Sequence, residues 1–316
     1  MIYTVTLNPA MDKTVEIPGF CPGAVNRAQT LREDAGGKGI NVSKCLKALG
    51  EEPVSAMVLA GDTGRRLAEL LQQEGLPVLS VEADGQTRTN LKIIDAESAQ
   101  NTDINEPGPR VEQAQLERLL KQLCERVQPG DIVVLSGSLP AGAPKDTYRR
   151  WTECFRALGA RVILDADGDC MAEGIKGRPC MVKPNETELA RLLGRTMDTE
   201  QKLLDGGRQL LAMGISNVVI SRGGSGALFL WEDAVYRADS LPVPVGSTVG
   251  AGDAVVAAMA YGMEKGLSRE EQIRLAMAMG AASVMQSGTQ APRKETVREL
   301  AEAYRSSLFT KFDCVL

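Results

Sequence analysis

The stretch Ser247-Thr248-Val249-Gly250-Ala251-Gly252-Asp253 brings together residue types that can act on an anion. Its glycines reach backbone conformations closed to other residues and let a ligand approach closely. The small-residue run that follows, Ala254-Val255-Val256-Ala257-Ala258-Met259, predicts a helix. The first N–H groups of such a helix would face whatever occupies the loop and form an anion site from backbone alone. Asp253, at the helix start, is placed to accept a hydroxyl proton during phosphoryl transfer, a reaction carried mostly by positioning and electrostatics. The plain alternative is an aspartate that only caps a helix. These seven residues leave both readings open.

Three more segments carry similar chemistry. Ala35-Gly36-Gly37-Lys38-Gly39-Ile40-Asn41-Val42 adds a lysine point charge and an amide to a glycine loop. It is not a P-loop, because Gly39 follows Lys38 where Ser or Thr is required. Its structural alternative is a turn before a helix over Asn41–Leu49. Lys183-Pro184-Asn185-Glu186-Thr187-Glu188 reads as a capping box, with Asn185 as cap and Glu188 three residues on. Its functional reading sets Asn185 and Glu188 beside Mg2+ and its waters, because a hard cation takes oxygen ligands. Ser221-Arg222-Gly223-Gly224-Ser225-Gly226 is either a nucleotide-binding turn or an ordinary turn into a hairpin. Arg88, within Gln86-Thr87-Arg88-Thr89-Asn90, has a guanidinium suited to phosphate, although a lone arginine is most often only solvated.

Composition narrows the chemistry further. The chain has 316 residues and no histidine, which excludes Ser-His-Asp and Cys-His catalysis and any histidine-held metal. Proton transfer must then rest on carboxylate, lysine, tyrosine or cysteine. The 7 cysteines include no CxxC pair, so free thiols in a reducing compartment are expected rather than a disulfide framework or zinc site. A formal net charge of −5 without a strong basic run argues against nucleic acid as partner. No apolar run is long enough to span a membrane. Met1–Lys13 lacks the basic-then-apolar pattern of a leader. A cytoplasmic protein is expected.

The elements that must position these motifs alternate. Strands are predicted at Ile2–Thr6, Val54–Ala60, Asp131–Leu135, Val162–Asp165, Cys180–Lys183 and Val218–Ser221. Amphipathic helices are predicted at Val111–Val127, Lys145–Leu158 and Glu186–Leu193. Such alternation predicts an α/β fold with a mostly parallel sheet covered on both faces. Ala227–Leu230 and Ala234–Tyr236 read as a hairpin, and the chain beyond Asp253 as mainly helical. Lys13–Gln29 and Arg88–Asn105 fit neither pattern and are expected to pair as a small accessory sheet. SGSLP, Asp165, KPNETE and SRGGSG each close a predicted strand, so they should gather on the edge where open parallel sheets bind ligands.

Taken in order, TLNPAMD, GGKGINV, TRTNLKI, SGSLP, KPNETEL, ISRGGSGAL and STVGAGD resemble the phosphofructokinase-B group of the ribokinase-like superfamily over nearly the whole chain. The resemblance implies a ribokinase-like three-layer sandwich: one domain over 1–316 with a small β lid near 13–29 and 88–105, through which a homodimer would form. It implies ATP and Mg2+ as cofactors, and Asp253 as catalytic base beside an anion hole at Gly250, Ala251 and Gly252. Asp12, Gly37, Lys38, Asn41, Arg88 and Ser138 would bind the sugar phosphate. Lys183, Asn185, Ser221, Gly223 and Gly226 would meet the nucleotide, and Glu188 would meet Mg2+ through water. Two positions depart from the family pattern: Arg222 stands where relatives often have leucine, and Ala254 where serine is common.

Lys38 counts against fructose 6-phosphate as substrate, because kinases of this group acting on it usually lack that lysine. Among members of that family the chain is most similar to those acting on fructose 1-phosphate, so the resemblance implies fructose 1-phosphate plus ATP giving fructose 1,6-bisphosphate and ADP. Phosphorylation of tagatose 6-phosphate is the nearest alternative, and a non-catalytic sugar-phosphate binder a distant one.

Overall fold

The computed structural model describes residues 1–95, 97–98, 100–286, 288–304 and 309–313. Two sheets organise them. The larger has ten strands in the order β14-β13-β12-β11-β10-β9-β8-β1-β4-β5. Its parallel part comprises β1 (Ile2–Thr6), β4 (Val54–Ala60), β5 (Val78–Ala83), β8 (Ile132–Ser136), β9 (Arg161–Asp165), β10 (Met181–Val182) and β11 (Asn217–Ser221). The antiparallel edge is β12 (Ala227–Trp231), β13 (Ala234–Ala238) and β14 (Phe309–Asp313).

Alternation along the strands divides the core into two layers. Tyr3 and Val5 of β1 face the layer built by α3 (Gln113–Cys124), α4 (Thr147–Ala157), α6 (Glu186–Leu193) and α7 (Glu200–Ala212). Ile2, Ile132 and Val134 face the layer of α1 (Lys38–Ala48), α8 (Ala251–Glu264), α9 (Arg269–Val284) and α10 (Lys294–Ala303). Each fully buried large side chain, such as Phe155 or Phe229, contributes roughly 1.5–3 kcal/mol. Helix α8 is buried over most of its surface, from Asp253 through Ala260. Its alanines let it lie close against the sheet and its neighbours.

The smaller sheet has the order β3-β2-β6-β7, with β2 at Ala10–Glu16, β3 at Thr30–Gly36, β6 at Arg88–Asp95 and β7 at Gln100–Asn105. Of the segment 13–29, only Lys13–Glu16 lies in a strand. The second strand from this region is instead Thr30–Gly36, which runs directly into the glycine loop. The chain past Asp253 is not all helical, because Phe309–Asp313 forms β14. Phe309 rests against Tyr236, 6.2 Å between ring centroids, and against Tyr304, 6.4 Å. That strand exists because a distant hairpin supplies its hydrogen-bond partners, which local composition does not reveal. The edge strand β5 likewise carries no alternation strong enough to announce it.

Candidate active site

Helix α8 begins after Gly250, whose φ of 86° lies in the left-handed region that favours glycine. Asp253 is therefore the third residue of the helix, not its cap, and no side chain caps this terminus. The N–H groups of Gly250, Gly252 and Asp253 meet no acceptor among the described residues, while that of Ala251 makes a long bond of 3.4 Å to the Thr248 carbonyl. The helix thus starts with unspent donors and a positive dipole end. The Asp253 carboxylate is 6% exposed and accepts a hydrogen bond of 2.8 Å from the Asn41 amide. Burial and the nearby Asp165 carboxylate push its pKa up to about 7, while Lys38, Asn41 and Lys183 oppose the rise. A base near neutrality is suited to proton transfer at cellular pH.

Two lysines converge on Asp165. Its Oδ1 lies 3.4 Å from Lys38 Nζ and 3.6 Å from Lys183 Nζ. Asp165 is fully buried, and its Oδ2 has no partner among the described residues. Burial lowers the Lys38 pKa, but Asp165, Asp253 and Glu188 together outweigh it and hold the ammonium charged. Gly252 closes this cluster, since a Cβ there would sit 2.9 Å from Lys183 Nζ. Asp253, Asn41, Lys38, Lys183 and Gly252 thus meet in one place, at the carboxyl ends of β9 and β10. Sequence reasoning saw Asp165 only as the end of a strand. Its position on that edge was the available signal, whereas its burial between two lysines appears only in three dimensions.

Asp12 lies on β2 beside the glycine loop, and a Cβ at Gly36 would overlap its carboxylate. Asn90 donates to Asp12 Oδ1 at 2.9 Å, and Thr289 to Oδ2 at 3.5 Å. Burial raises the Asp12 pKa. A cavity of about 220 Å³ opens over the inner face of the smaller sheet, bounded by Asp12, Asn90, Lys92, Val249 and Thr289 among others. Asp253 does not line it, and neither does Arg88. Its guanidinium donates to the Asn8 carbonyl at 3.1 and 3.2 Å and, through Nη1, to the Glu106 carbonyl and Asn90 Oδ1 at 3.4 Å each. Ser138, beyond β8, accepts from Asn8 Nδ2 at 3.3 Å. Asn8, which sequence reasoning passed over, therefore links the Arg88 and Ser138 neighbourhoods. Gly37, with φ 119°, turns the chain from β3 into α1.

The remaining motif residues follow β10 and β11. Asn185 caps α6: its Oδ1 accepts from Glu188 N at 2.8 Å, and Glu188 Oε2 accepts from Asn185 N at 2.9 Å. The capping box is thus real, and it occupies one oxygen of each side chain. Asn185 also bridges to Ser221. Gly223 opens a short 3-10 turn, and Gly226, at φ 85°, sits where a Cβ would overlap the Ala238 carbonyl. Arg222 pairs with Glu186 at 3.1 Å and Glu200 at 2.7 Å. Among the described residues, no group of three Cys, Asp or Glu side chains is arranged to hold a metal ion. No helix among them is long and apolar enough to cross a membrane.

A mostly parallel sheet between two helical layers, with a second small sheet and a buried aspartate at a helix start, is the ribokinase-like α/β fold of sugar kinases. The chain belongs to the pfkB family of carbohydrate kinases, whose profile matches residues 5–296. It is 36% identical over 283 residues to the 1-phosphofructokinase of Bacillus subtilis, covering 90% of this chain and 92% of that protein. It is 38% identical over 305 residues to the 1-phosphofructokinase of Xanthomonas campestris, covering 95% and 96%. Its fold matches phosphofructokinase-2 of Escherichia coli, solved in complex with fructose-6-phosphate, with a TM-score of 0.90 and 28% identity over 96% of this chain and 98% of that one.

Proposed function

We propose that this kinase transfers the γ-phosphoryl group of MgATP to the C6 hydroxyl of fructose 1-phosphate, giving fructose 1,6-bisphosphate and ADP. One observation carries the chemistry. A buried carboxylate with a raised pKa, Asp253, lies at a helix start with unspent N–H donors and two lysines close by. Similarity to the 1-phosphofructokinases supports the choice of sugar phosphate.

In this reading Asp253 takes the proton of the acceptor hydroxyl. The oxygen bonds to the γ-phosphorus as the bond from that phosphorus to its bridging oxygen breaks, and the electron pair leaves with ADP. The backbone at Gly250, Ala251 and Gly252 holds the charge that develops on the migrating group. Lys38 stays protonated, and it and Lys183 draw the phosphates toward the base. Asp12, Gly37, Asn41, Arg88 and Ser138 border the bound sugar phosphate. Asn185, Ser221, Gly223 and Gly226 border the nucleotide.

Mg2+ enters with the nucleotide as part of the substrate and neutralises phosphate charge when bound. Glu188, one oxygen of which caps α6, would face the hydration shell of that cation. The smaller sheet acts as a lid over the cavity and keeps water from the phosphoryl group. Its outer side exposes Leu31 and Ile104, at 55% and 52%, which favours a homodimer formed there. The protein works in the cytoplasm, where its nucleotide substrate is found.

ADP release measured with fructose 1-phosphate, fructose 6-phosphate and tagatose 6-phosphate tests the reading. The highest kcat/KM is expected with fructose 1-phosphate. A higher value for either other sugar reassigns the substrate, and sugar binding without ADP release removes the kinase mechanism.

A further inference from the structure

The smaller sheet is laid out as three inward-facing rungs across β2 and β6: Ala10 with Arg88, Asp12 with Asn90, and Thr14 with Lys92. Successive rungs stand about 7 Å apart along the strands. The cavity covers the second and third rungs, and Lys92 is its one lining cation among the described residues. Arg88, on the first rung, directs its donors at carbonyl groups. Lys92 is differently placed. Among the described residues its ammonium has a single ion partner, Asp103 on β7, at 3.3 Å. The lysine side chain is 17% exposed, and Asp103 is half exposed at the open rim. A weak rim pair of this kind is readily exchanged for a stronger anion. Asp12 and Asn90, one rung inward, offer an acceptor and an amide to sugar hydroxyls. A hexose chain lying over them would carry its terminal phosphate about one rung further out, within reach of a flexible lysine stem.

We propose that Lys92 is a specificity-determining residue that binds the phosphate of the sugar substrate, exchanging Asp103 for that dianion. The inference rests on the sugar-phosphate kinase reading above and adds a contact on the lid side of the cavity. It makes the enzyme's preference for a phosphorylated over an unphosphorylated ketose depend on one residue outside the Asp253 cluster.

Calorimetric titration of fructose 1-phosphate into the intact wild-type, Lys92→Met and Lys92→Arg proteins separates the outcomes, alongside steady-state rates with fructose 1-phosphate and with fructose. Loss of one charge-assisted contact to phosphate corresponds to about 10- to 100-fold in affinity. Lys92→Met is expected to weaken fructose 1-phosphate by that factor and raise its KM to match. The KM for MgATP, the kcat and any turnover of fructose should stay within about threefold, and Lys92→Arg should restore most of the binding. If Lys92→Met binds as the wild type does, the inference fails and the kinase reading stands. If Lys92→Met loses fructose and fructose 1-phosphate turnover alike, the role is structural and the inference also fails. If the wild type itself binds no sugar phosphate, both readings fall.

Discussion

The Asn41 amide nitrogen lies 2.8 Å from Asp253 Oδ2, a hydrogen bond between residues 212 positions apart in the chain. It ties the glycine loop at the start of α1 to the start of α8. It also stabilises the charged form of a carboxylate that burial and Asp165 drive toward the neutral one. The balance of those effects sets the proton affinity of the proposed base.

Replacing that base is the most direct test. Asp253→Asn keeps the shape and an acceptor for Asn41 but removes proton uptake. A fall in kcat of about 10²- to 10⁴-fold is expected, with calorimetric binding of sugar phosphate and MgATP within a few-fold of wild type. Turnover near the wild-type rate would reassign the base.

The pH dependence follows from the same carboxylate. Because Asp253 must be ionised to act, kcat/KM should rise with pH through an acid limb near 7 and level off above it. Stability should run the other way. A raised folded-state pKa means the fold binds this proton more tightly than the unfolded chain, so the contribution is lost as pH rises from about 4 through 7. Asp253→Asn should therefore melt above the wild type at pH 8 and close to it at pH 5, a difference of about 1–3 kcal/mol. Scanning calorimetry at the two pH values checks this.

Asn41 and Asp165 should move that acid limb in opposite directions. Asn41→Leu removes a hydrogen bond to the charged form, so the limb shifts up. Asp165→Asn removes the carboxylate that repels Asp253, so the limb shifts down. Asp165→Asn should also weaken MgATP binding, because Lys38 and Lys183 lose their shared partner. pH–rate profiles of the two variants decide the sign.

Gly226→Ala tests the turn after β11. The new methyl would overlap the Ala238 carbonyl at a backbone angle reserved for glycine. A loss of about 1–3 kcal/mol in urea unfolding is expected, with a raised KM for MgATP and an unchanged KM for fructose 1-phosphate.

Much of the scaffold was legible because its signals are local. Ile2–Thr6, Val54–Ala60 and Glu186–Leu193 coincide with observed elements to the residue, since apolar runs bounded by turn formers and a capping box declare themselves without distant partners. β3 and β14 were not legible. Thr30–Gly36 carries three consecutive charged residues, Arg32, Glu33 and Asp34, and only two buried ones, and it is a strand only because β2 lies beside it. Phe309–Asp313 depends in the same way on β13.

The amino-acid order alone determined the alternating layers and the absence of histidine chemistry, and it marked Asp253, Lys38 and the glycine loops as candidates for chemistry on an anion. Tertiary structure alone decided that Asp253 is not a cap, that Asn41 holds it, that Asp165 sits buried between two lysines and that Lys92 faces the cavity while Arg88 does not line it. The physical reason is that residue type and spacing report backbone preference within a few turns. Proton affinity and charge pairing depend instead on burial and on neighbours that only chain folding brings within a few ångströms.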